Sequence, residues 1–63
     1  MKPHQLRVIE EKNELDQKLN ALLIFMDGEV FQSLSAIDQS LLVIQSNLMA
    51  SYSTVLKSRI DLF

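Results

Sequence analysis

The only histidine of this chain, His4, follows its only proline, Pro3, with Lys2 just before them and Arg7 three residues after. Imidazole, ammonium and guanidinium gathered this closely suit one chemistry above others, which is holding an anion. On a helix, at about 100° per residue, His4, Arg7, Lys18 and Glu11 fall within about 60° of one another, along one edge of the apolar seam. Cations at such an edge can hold phosphate, and apolar or ring side chains beside them offer surfaces on which a base stacks. The same residues can equally be solvated charges. Glu14 stands four residues before Lys18, the favourable order for a helical ion pair.

Catalysis finds less to work with. No serine lies in a nucleophile motif, the lone histidine has no evident triad, and there is no glycine-rich phosphate loop. Glu10, Glu11, Glu14 and Asp16 read as a solvated acidic face. With no cysteine, disulfides and thiolate ligands are excluded, and one histidine alone does not make a zinc site. The expectation is a protein that is not an enzyme and uses neither cofactor nor metal.

The elements that must position these residues are helices. Pro3 suits the first turn of a helix, where its missing N–H costs nothing. From there to Asp27 the chain is rich in Leu, Glu, Lys, Gln and Ala and holds no breaker. Val8, Leu15, Leu19, Leu22 and Met26 recur on one face, with Leu6 and Ile24 roughly opposite. Asp27–Gly28 ends this helix, with Gly28 available for a left-handed position. "EVFQSLS" (29–35) reads as a linker or one short turn, with Val30, Phe31 and Leu34 plugging the bend. Ser35 with Asp38 resembles a capping pattern that starts a second long helix, running to about Asp61. Its expected buried face is Ile37, Leu41, Ile44, Leu48, Tyr52 and Val55, leaving Leu42, Met49, Leu56 and Phe63 for other subunits.

The expected fold is all-α. Residues 1–63 form a single domain, an antiparallel hairpin of two long helices with a short helical element at the bend, assembled into a homo-oligomer. Assembly follows from size and composition. Sixty-three residues that are 48% hydrophobic offer more apolar surface than two helices can hide from water. A net charge of −2 argues against duplex DNA as a partner, because that needs a broad basic surface. The run "ALLIFM" (21–26) is too short to span a bilayer, and polar residues directly after Met1 argue against a signal peptide. No membrane partner and a cytosolic location are the expectations.

Two stretches carry a family resemblance. "KPHQLRVIEEKNELDQKLNAL" (2–22) and "QSNLMASYSTVLKSRI" (45–60) are similar to a P-H-Q-x-R-V…EK-x-EL-D-x-K-L opening and an M-x-x-Y-x-x-x-L-x-x-R-I close. These resemble the phage anti-CBASS protein two family. The resemblance implies a non-enzymatic sponge, a hexamer in the host cytoplasm that sequesters cyclic dinucleotides or cyclic trinucleotides and so blocks immune signalling. It also implies that His4 stacks on a base or meets phosphate, that Lys18 neutralises phosphate, and that Arg59 joins a second phosphate site between subunits. Arg7, Val8 and Lys12 are wall residues by helical geometry. The rival reading is a small structural or interaction module that docks its exposed apolar stripe on a host protein.

Overall fold

Helix-forming residues without an internal breaker produce two long helices here, as the spacing predicts. The computed structural model describes residues 1–63, with α1 spanning Pro3–Met26, α2 Glu29–Ser33 and α3 Ala36–Asp61. Pro3 occupies the first helical position, and the Gln5 side chain accepts the Lys2 backbone N–H at 3.0 Å. Ser35 caps α3 by accepting the Asp38 N–H at 3.1 Å.

The bend differs in detail from the expectation. Gly28 is extended, with φ −99° and ψ 174°, because it serves as the N-cap of α2 and not as a left-handed stop for α1. Phe31 packs edge-on to Phe25 with ring centroids 6.5 Å apart, and Leu34 is half-buried. Val30 is 64% exposed and plugs nothing. Gln39 holds the bend in place. Its side-chain amide reaches the carbonyls of Phe31, Gln32 and Leu34 at 3.0, 3.3 and 3.1 Å, satisfying acceptors that α2 leaves open.

α1 and α3 then pack antiparallel into a rod of 46 × 14 × 13 Å. On α1 the inward residues are Val8, Lys12, Leu15, Leu19, Leu22 and Met26, spaced alternately by four and three. On α3 they are Gln39, Leu42, Ser46, Met49, Ser53 and Leu56, spaced the same way. This average of 3.5 residues is the period of a two-helix coiled coil.

The inward face of α3 is therefore the reverse of the one its hydrophobicity predicts. Leu56 is 0% exposed and lies between the helices towards the open end of the hairpin, while Ile37, Leu48 and Val55 are 74%, 65% and 55% exposed. The outer stripe sits about 140° around the helix from the inner one. Polar contacts account for the choice. Small serines at 46 and 53 admit α1, Ser53 receives Lys12, and Gln39 must face α2. Only Val8, Ser46, Ser53 and Leu56 are buried. The accessible surface of 4825 Å² compares with about 4,100 Å² for a compact monomer of this mass.

Leu56→Ala should cost about 2–5 kcal/mol, since it opens a cavity in the only fully enclosed site. Urea unfolding followed by circular dichroism checks this. An unchanged midpoint would place the core elsewhere.

Candidate functional site

The antiparallel packing sets the start of α1 beside the end of α3. Lys2, His4, Arg7, Lys57 and Arg59 thus share one end of the rod, and Asp27, Glu29 and Asp38 share the other. The unpaired backbone N–H groups of the first turn of α1 add positive field at the basic end. The charges of this chain are thus divided unevenly between the ends of the rod, although Asp61 also lies at the basic end, paired with Lys57.

The six residues singled out from the sequence separate into two groups. His4, Arg7, Lys18 and Arg59 are exposed, and none of their side chains makes an ion pair or hydrogen bond within the chain. The anticipated Glu14–Lys18 pair does not form; the two ion pairs present are Lys12–Asp16 and Lys57–Asp61. Val8 is 7% exposed and belongs to the core of the hairpin. Lys12 is half-buried and committed to internal partners. Within the exposed group, His4 and Arg7 lie one turn apart, whereas Lys18 is about 21 Å further along α1. A single chain does not bring all the cations around one small ligand.

Lys12, Asp16 and Ser53 form the one polar network that crosses the seam. The Lys12 ammonium donates to Asp16 Oδ2 at 2.6 Å and to Ser53 Oγ at 3.0 Å. The Ser53 hydroxyl donates to Asp16 Oδ1. Asp16 is therefore part of a lock between the helices, where the sequence pattern placed it on a solvated face. The hydrogen bond from Lys12, then that from Ser53, hold the Asp16 carboxyl below its ordinary value of 3.8. A serine beside a lysine resembles a nucleophile and its base. This lysine donates to both neighbours, so its geometry is that of an ammonium clamp and not of a proton acceptor.

At the acidic end, an open cleft of about 520 Å³ lies between α2 and the start of α3. Phe31, Ala36, Gln39, Ser40, Val43 and Ile44 line it. None of the exposed cations reaches it. Neither this cleft nor the Ser53 lock could be found by sequence motif, since each depends on which faces the bend brings together. The signal that was present is the seven-residue repeat of small or polar residues at Gln39, Ser46 and Ser53.

Comparison with known proteins places this arrangement. A family model described as Sequestin matches residues 2–62. A protein of Enterobacteria phage T4, described as an uncharacterized 7.5 kDa protein in the denB-rIIB intergenic region, is 41% identical over 63 residues. That match covers 100% of this chain and 98% of the relative. No solved structure matches. No helix is long and apolar enough to cross a membrane.

The lock carries a pH signature. Because the folded chain lowers the Asp16 pKa, it binds fewer protons in acid than the unfolded chain does. The stability this supplies is complete above the ordinary value of 3.8 and is lost as pH falls through the lowered folded value. Asp16→Asn should reduce stability at neutral pH and flatten the acid limb of a curve of thermal midpoint against pH. Identical acid limbs in the two proteins would show that the lock contributes nothing.

Proposed function

The chain belongs to the Sequestin family, and on that premise we propose that it is a sponge for cyclic oligonucleotide second messengers. It binds them without chemical change and withholds them from the host's antiphage signalling. The observation that carries this reading is the edge of α1 along which the His4 ring and the cations Arg7 and Lys18 stand exposed and unpaired, although the chain holds eight carboxylates. Three further features support it: the family name denotes sequestration, a full-length relative occurs in a phage, and both ends of the chain resemble the anti-CBASS protein two family.

In this reading the Arg7 guanidinium and the first-turn N–H groups of α1 face a phosphate, and the His4 ring lies against a base or a second phosphate oxygen. Lys18 neutralises phosphate from further along the same edge. The resemblance adds Arg59 for a second phosphate between subunits. Val8 and Lys12 are taken up by the hairpin itself and contribute only by fixing the helix that carries the others. Since about 21 Å separates His4 from Lys18, a ligand that meets both kinds of cation draws on more than one copy of the chain. The working form is then a homo-oligomer, a hexamer by the resemblance.

Calorimetric titration with cyclic GMP–AMP tests this. His4→Ala and Lys18→Ala should each weaken binding about ten- to a hundredfold, the effect of losing a charge-assisted contact of about 1.5–3 kcal/mol. Lys57→Ala should cost less, because Lys57 is already paired with Asp61. The nucleotide should come back intact after the protein is denatured. Hydrolysed product would make the protein an enzyme. Absence of binding across a panel of cyclic di- and trinucleotides would leave the host-protein docking module, to which the exposed apolar face of α3 is suited.

A further inference from the structure

The bend of the rod has a chemistry of its own. From Leu19 to Leu56 the chain contains no lysine, arginine or histidine. Its carboxylates in that stretch, Asp27, Glu29 and Asp38, all stand at the bend or in the first turn of α3, and none is in an ion pair. The open cleft of about 520 Å³ lies among them, between α2 and the start of α3. Its apolar walls are Phe31, Ala36, Val43 and Ile44, and the sequence neighbours Val30 and Ile37 are 64% and 74% exposed. Gln39 spends its amide N–H groups on the carbonyls of Phe31, Gln32 and Leu34, so what it can still offer a ligand is an acceptor oxygen.

We infer that this cleft docks a short cationic segment of another protein, one that carries an aromatic or branched apolar side chain between lysines or arginines. The cleft lies within the roughly 300–1,000 Å³ of small-ligand pockets, so it takes a large side chain or two and not a folded surface. The carboxylates flank the cleft without lining it. Glu29 stands two residues before Phe31, and Asp38 two after Ala36. A ligand that satisfies both kinds of group must carry its apolar part and its cations on one strand, set apart from each other. A basic segment around an apolar anchor does this.

Charge also decides what the cleft rejects. No cation is among its walls, and the first turn of α3 is already capped by Ser35 and carries Asp38, so a phosphate or an acidic peptide meets mainly repulsion. The two ends of the rod therefore differ in the sign of what they attract. The inference does not rest on the sponge reading, since the cleft lies at the end of the rod away from His4 and Arg7.

Tryptophan fluorescence tests it, because the chain contains no tryptophan and the signal belongs to the probe alone. The probe is a blocked peptide with one tryptophan and one leucine between two pairs of lysines, compared with a counterpart whose lysines are all glutamates. With the full chain, the lysine peptide should show blue-shifted emission and saturable binding that weakens as salt is raised. The glutamate peptide should bind at least about tenfold more weakly. Ser40→Phe fills the cleft from an exposed position and should abolish the shift, with helix content unchanged by circular dichroism. Asp27→Asn combined with Glu29→Gln should weaken binding several-fold. No shift with the unmodified chain, equal binding of the glutamate peptide, or a shift that survives Ser40→Phe would each overturn the inference. So would N-acetyltryptophanamide binding as tightly as the lysine peptide, which would make the cleft a small-molecule pocket. Should Ser40→Phe unfold the chain, the charge variant decides, and unchanged affinity there would overturn the inference.

Discussion

The choice of which face of α3 turns inward governs everything else about this protein, and a few polar contacts make that choice. Burial alone would favour the stripe through Ile37 and Leu48. The chain instead encloses Ser46, Ser53 and Leu56, because Lys12 and Asp16 on α1 find Ser53 there and Gln39 must reach the carbonyls of α2. Half-buried polar groups are expensive to leave unmatched and add little net stability when matched. Their value is selective. They make one register and one facing far better than the alternatives, as a polar residue does at a core position of a coiled coil.

That selection divides labour between the two helices. With its serine-studded face inside, α3 keeps its most apolar face outside, where it is available for association. α1 spends most of its apolar residues on the seam and is left with a mixed back, where Leu6 and Ile24 stand exposed among polar residues, and an edge that carries Arg7 and Lys18. A chain too short for a large core has thereby separated an apolar surface that water disfavours from an edge that carries unpaired Arg7 and Lys18. Both surfaces are presented by the two long helices.

The parts of this fold that depend on neighbours in sequence were legible in the sequence. Pro3 and Ser35 mark helix starts, Asp27–Gly28 marks a stop, and the apolar period of α1 identifies its inner face, all of which the structure bears out. The facing of α3 was not legible, because α3 has two apolar stripes and the richer one is the wrong one. Periodicity ranks faces by hydrophobicity, whereas the hairpin ranks them by what α1 and the bend present to them. The same limit explains the candidate site. His4, Arg7, Lys18 and Arg59 lie exposed where helical spacing puts them, and Val8 lies in the seam its apolar period marks, but Lys12 is drawn inward by a contact 41 residues away in sequence, to Ser53.

Charge ties the two surfaces together. The rod is nearly neutral in total and divided at its ends, so its field is that of a dipole and falls off quickly with distance. At the basic end the field draws on the start of α1, where Arg7 stands beside helix N–H groups and the first turn holds no acidic residue. The lock of Lys12, Asp16 and Ser53 fixes that end in register, with the last turns of α3, Lys57 and Arg59 among them, against the first turns of α1.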